Sequence, residues 1–120
     1  MNTPIFSVCK ASQAVIDVLG GPLPRLYPFG EAPAGVEKPY AVYQMVSGAP
    51  LNTLTVPKSD QIGIQIDVFG RTQAEATKAF IALRNAVQTK GYVTGYNANE
   101  REDETNLWRL SFDVDWIVDR

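Results

Sequence analysis

The stretch DQIGIQIDVFG, Asp60–Gly70, decides how the rest of the chain is read. Ile62, Ile64, Ile66 and Val68 alternate with Gln61, Gly63, Gln65 and Asp67. That is the period of a strand with one face in a core and one face outside it. After Gly70 and Arg71 the period changes. TQAEATKAFIALRNAVQTKG places Ala76, Ala79, Phe80, Leu83 and Val87 in one stripe at helical spacing. Thr72 predicts an N-cap, and Glu75 three residues on completes a capping box. Lys90 and Gly91 predict the helix end, Gly91 at the position where glycine often stops a helix. A one-sided strand feeding a one-sided helix buries both apolar faces if the helix packs on the sheet.

Working outward, Tyr40–Ser47 (YAVYQMVS) predicts a second strand. Tyr40, Val42 and Val46 lie on one face, and Ala41, Tyr43 and Met45 on the other. With both faces partly apolar, the strand is either central or meets something outside the monomer. Gly48-Ala49-Pro50 predicts a turn into LNTLTVPKSD. Leu51, Leu54 and Val56 of that stretch have no place in the core that the flanking strands define. It reads as a β-hairpin arm used for subunit contact, or as a loop folded back on its own domain. Residues 22–39 carry five prolines and two glycines, an extended connector stiffened by fixed φ angles. Arg25-Leu26-Tyr27 within it suit a short edge strand, and Tyr27 and Phe29 suit either binding anchors or edge cover.

Upstream, Thr3-Pro4 opens a first helix with the apolar face Ile5, Val8, Ala11, Val15 and Val18 or Leu19, stopped by Gly20-Gly21-Pro22. Downstream, Tyr92–Tyr96 begins a strand and 97–106 is a charged, solvated hairpin tip. The last strand alternates Trp108, Leu110, Phe112, Val114, Trp116 and Val118 with Arg109, Ser111, Asp113, Asp115 and Asp119. Its apolar face should underlie both helices, and its other face should be acidic and wet. The predicted fold is α+β: two helices packed on one face of a mostly antiparallel β-sheet, with an extended β-hairpin arm or loop. The whole chain, 1–120, reads as a single domain.

Composition removes several functions. With 11 basic and 13 acidic residues the net charge is −2, which is not the profile of a dedicated nucleic-acid binder. No apolar run approaches the roughly 20 residues that span a bilayer, and no secretory signal opens the chain. The absence of histidine excludes Ser-His-Asp, Cys-His and His-ligated zinc sites, and the single cysteine, Cys9, excludes an intrachain disulfide. Cys9 beside the first apolar stripe reads as a small core hydrophobe. No phosphate-binding glycine motif is present. Asp67, Asp113 and Asp115 share the solvent face by alternation, but an open sheet face has no pocket to shift their titration. No catalytic, cofactor-binding or metal constellation is expected.

Several motifs occur in order. They are Pro4-Ile5 at a helix start, the connector R-L-Y-P at Arg25–Pro28, and a lead of the P-x-G-V-x-x-P-Y type ending at Tyr40. Q-x-V-S-G-x-P then spans Gln44–Pro50, and Gln65–Phe69 precedes a T-x-x-E-A helix opening at Thr72–Ala76. This ordered set resembles the tail terminator, or tail-completion, proteins of long-tailed bacteriophages, and covers most of the chain. The charged segment 97–106 carries no mark of the resemblance. What the resemblance implies is a structural virion protein of the neck, assembled in the host bacterial cytoplasm, not an enzyme. Copies would form a homo-oligomeric, generally hexameric ring on the head-proximal end of the tail tube. The ring would stop tube polymerisation and join the head–tail connector or head-closure protein, and DNA would pass through its lumen without specific binding. Contact candidates are then Arg25, Tyr27, Phe29, Tyr40 and Tyr43, with Leu51, Leu54 and Val56 on an inserting arm. The alternatives are another neck component such as a head-closure protein, or a small ligand-binding module using the acidic sheet face.

Overall fold

In the computed structural model, which describes residues 5–51 and 59–119, the elements follow one another along the chain. They are α1 (Ile5–Lys10), α2 (Gln13–Leu19), β1 (Leu26–Pro28), β2 (Tyr40–Leu51), β3 (Ser59–Gly70), α3 (Gln73–Val87), β4 (Tyr92–Arg101) and β5 (Trp108–Asp119). The sheet has five strands in the order β1-β2-β3-β5-β4, antiparallel throughout except for the short β1–β2 pair. This is the predicted α+β class.

The centre is where the alternation was strongest. Ile62, Ile64, Ile66 and Val68 of β3 are fully buried, opposite Trp116, Val114, Phe112 and Leu110 of β5. From α3, Ala76, Ala79, Leu83 and Val87 close over that face, and Ile5, Cys9, Val15 and Leu19 of the first two helices complete the same core. Phe80 stands edge-on to Phe112 at 5.0 Å between ring centroids and meets Tyr96 at 5.6 Å. Two glycines set the spacing of the layers. A Cβ on Gly70 would sit 2.6 Å from the Ala76 backbone nitrogen, and one on Gly91 would sit 2.9 Å from Val114 Cγ1. The chain leaves β3, crosses by α3 to β4, and returns antiparallel as β5 between them, a split βαβ unit.

Local expectations are corrected in five places. The first helix is two helices, so three are present among the described residues. Ser12 breaks the run, its Oγ accepting from the Val15 amide, and Ala11 is exposed rather than part of the stripe. The expected Thr3 cap lies outside the described residues. At α3, Thr72 Oγ1 accepts from the Glu75 amide, but Glu75 Oε1 has no partner, so only half of the capping box forms. Gly91 is not a left-handed cap. Its amide closes the turn on Val87 O, and its lack of a side chain serves the approach to β5. β2 continues through the expected turn at Gly48-Ala49-Pro50, paired with β3 as far as Leu51 opposite Ser59. β4 likewise runs into the charged segment as far as Arg101, and the turn is confined to residues 102–107.

Candidate assembly interface

The connector enters the sheet through Arg25. Its Nε donates to Pro39 O at 3.0 Å and its Nη2 to Val18 O at 3.4 Å, tying the end of α2 to the start of β2. Arg25 thus anchors the connector within its own chain. β1 pairs in parallel with Ala41–Tyr43, and the Phe29 amide donates to Tyr43 O. This register separates the predicted aromatic anchors. Tyr27 and Tyr40 lie on the outer face of the sheet, away from the helices, where Tyr40 stacks on Phe69 at 5.0 Å. Tyr43 lies on the helix face, packed against the core. Phe29 follows β1 and is 64% exposed. Burial, then the Glu31 carboxylate, pushes the Tyr43 phenol up, and burial, then Glu102, does the same to Tyr40. Both phenols therefore stay protonated and uncharged across the neutral range.

Of the predicted arm only the ends are described: Leu51 pairs with Ser59 at the last pair of the β2–β3 ladder. Leu54 and Val56 lie outside the described residues.

The outer sheet face is not uniformly wet. Asp67 and Ser111 are buried there, and Arg109 bridges Asp67 at 3.4 Å and Glu100 at 3.2 Å across β3, β5 and β4. Burial pulls the Arg109 guanidinium down. Its hydrogen bond to Glu100 and the charges of Asp67, Glu100 and Glu102 outweigh that and hold it above its ordinary range. Gln61 Nε2 donates to Asp115 at 3.1 Å, and Gln65 Nε2 to Asp67 at 3.1 Å. Asp67 and Asp115 are thus engaged by Arg and Gln partners along the strands, while Asp113 Oδ1 is buried with no partner among the described residues. Among the described residues no three Asp, Glu or Cys side chains converge as a metal site requires. Cys9 is buried, and burial pushes its thiol up to about 12, leaving it without nucleophilic character at neutral pH.

Apolar surface remains at both ends of the sheet. At the β2 end Met45 and Val46 are each 52% exposed, at a register shift between Met45 and Ser47. At the β4 end Tyr92 and Tyr96 are 71% and 61% exposed. Beside Tyr96 a groove of about 420 Å³ opens between α3 and β4, lined by Phe80, Ile81, Tyr96 and Leu110 among others. The two apolar faces of Tyr40–Ser47 signalled the first of these exposures. Nothing in YVTGY signalled the second, because a register shift between Val93 and Gly95 separates Tyr92 from Tyr96 and pairs Tyr96 with Phe112 on the helix side.

The sequence pattern of the family described as "Tail completion protein gp17" matches residues 3–119. No curated protein matches the sequence. Among solved structures, a chain of the "Virion of native gene transfer agent (GTA) particle" has the same fold, with a TM-score of 0.70 at 16% identity over 97% of this chain and 92% of that one. Identity that low speaks for the fold alone, whereas the family match spans nearly the whole length. The chain belongs to the tail completion protein gp17 family and is a structural component of a phage tail.

Proposed function

We propose that the chain is the tail terminator: copies close into a hexameric ring on the head-proximal end of the tail tube. The ring stops further tube polymerisation and presents the surface on which the head connector or head-closure protein docks. It works by contact alone, without catalysis, and DNA slides through its lumen. The observation that carries this reading is the family match over 3–119. The apolar surface at both ends of the sheet agrees with it, since a subunit of a closed ring meets one neighbour on each side. The long β2–β3 ladder, paired out to Leu51 and Ser59, suits the arm role, and Tyr27, Phe29, Tyr40, Leu51, Leu54 and Val56 are the contact groups this reading assigns.

Negative-stain imaging of the purified protein, alone and mixed with tail tubes of its own phage, tests the reading. The expected result is a ring, or a cap on one end of tubes of uniform length. Binding to capsid connectors with no effect on tubes would move the protein to head closure. Replacing Leu54 and Val56 together by Asp should leave the melting temperature unchanged and abolish capping. Capping by that variant would remove the arm from the account.

A further inference from the structure

The terminal strands β1 and β4 end the sheet in different ways. On β1 the Arg25 carbonyl and the Phe29 amide are turned to β2. The groups turned outward are used or missing: the Leu26 amide donates to Pro24 O, Pro28 has no N–H, and Pro28 O accepts from the Glu31 amide. This edge is closed to strand addition and meets a neighbour only through side chains. It carries one apolar projection, Phe29, with Glu31 two residues on, and both are exposed. Burial, then the Glu31 charge, raises the Tyr43 phenol, so the turn that holds both residues reaches the helix side of the sheet. At the β4 edge, on that same side, lies the groove of about 420 Å³ beside Phe80, Ile81, Tyr96 and Leu110. Arg84, one turn on from Phe80, also lines it, its guanidinium 6.0 Å from the Phe80 ring centroid. Among the described residues neither Glu31 nor Arg84 has an ion-pair partner. Projection and recess are level. The registers run Pro28, Tyr43, Ile66, Phe112, Tyr96 straight across the five strands.

We propose that neighbouring copies meet head to tail, the Phe29 ring of one copy seated in the groove beside Phe80 and Tyr96 of the next, with Glu31 against Arg84 at its rim. The inference rests on the ring reading above and supplies its subunit contact. Copies related by rotation about an axis along the strands keep their levels, so the Pro28 end of the row comes against the Tyr96 end. Among the described residues no further strand stands between them, because β1 and β4 are the two ends of the sheet. The groove offers aromatic faces and edges to an incoming ring: the Phe80 and Tyr96 centroids are 5.6 Å apart with their planes at 48°. Charge sets the direction. A two-fold contact of β1 edge with β1 edge would set Glu31 against Glu31, and one of groove with groove would set Arg84 against Arg84. Like charges disfavour both, and the opposite charges favour the head-to-tail contact. Such a contact closes into a ring if the rotation allows.

Sedimentation of the full-length chain, alone and with tail tubes, tests this. Phe29→Asp and Ile81→Asp change exposed positions on opposite edges. Each should weaken association about tenfold or more, the effect of losing a seated anchor or its seat, with an unchanged melting temperature. Glu31→Arg and Arg84→Glu should each weaken it about threefold or more, and the two together in one chain should restore it. Full association of Phe29→Asp or of Ile81→Asp would overturn the proposal while leaving the ring reading intact. So would losses at Glu31 and Arg84 that the double variant does not recover. Assembly of the unaltered chain that stops at dimers would overturn the proposal in favour of a two-fold contact. Absence of any oligomer of the unaltered chain, alone or on tubes, would overturn both the proposal and the ring reading.

Discussion

Arg109 shows what a single residue adds to a face that alternation alone marks as wet. Its guanidinium spans from Asp67 to Glu100, and Asp67, 8% exposed, has only Arg109 and Gln65 as side-chain partners among the described residues. Removing the cation leaves a buried carboxylate with one neutral donor, and an under-satisfied buried acceptor costs about 1–3 kcal/mol. Arg109→Met should therefore lower unfolding free energy by about that amount in urea titrations, and adding Asp67→Asn should recover part of it. A loss below about 0.5 kcal/mol, the range of exposed pairs, would show that water serves Asp67 equally well. The sequence displayed Asp67 as one more outward acid. Its burial was hidden because it depends on the β3–β5–β4 order, which brings Arg109 and Glu100 alongside, and no local pattern encodes strand order. Cys9 is the opposite case: its place beside an apolar stripe was enough to read it as core.

At the level of elements, the junction of β3 with α3 was legible because period, cap and stripe agree across consecutive residues. Gly70 makes the junction tight. A methyl group there would meet the Ala76 backbone at 2.6 Å, and backbone cannot move aside as a side-chain tip can. Gly70→Ala should cost about 1–3 kcal/mol, the usual cost of overpacking, read as a lowered denaturation midpoint. Gly95→Ala, with nothing within 4 Å of the added Cβ, is the control and should be near neutral. Equal effects would mean that α3 shifts to accept the methyl. Other boundaries were misread for physical reasons. The break between α1 and α2 leaves the apolar stripe almost unchanged, so periodicity could not reveal it; only Ser12 as a cap could. Gly48-Ala49-Pro50 has turn composition, yet pairing with β3 carries the strand through it. Proline is tolerated at a sheet edge, and the open side of β2 is such an edge. The sequence offered aromatic candidates as residues but not how they share a surface, since the β1 register that puts Tyr27 and Tyr43 on opposite faces is a tertiary fact.

For the whole molecule, charge and assembly meet in one question: what DNA would experience inside a ring of these subunits. Each chain carries 11 basic and 13 acidic residues, so a ring multiplies a small negative charge. Affinity for duplex DNA comes largely from Lys and Arg displacing counterions from phosphates, and it needs several such cations on one surface. Here Arg109 is engaged by Asp67 and Glu100, and Arg25 by backbone carbonyls. The acids Asp113 and Asp115 stand on the same sheet face as Arg109. A lumen lined by this face would repel phosphates weakly and hold none of them, which suits passage rather than capture. The assembled protein should therefore give no mobility shift of duplex DNA at physiological salt, and none when salt is lowered. Binding that appears at low salt and falls steeply as salt rises would show that assembly gathers the basic residues onto one surface. In that case the lumen would be lined by another face, and the outer sheet face would be left for the tube or the connector.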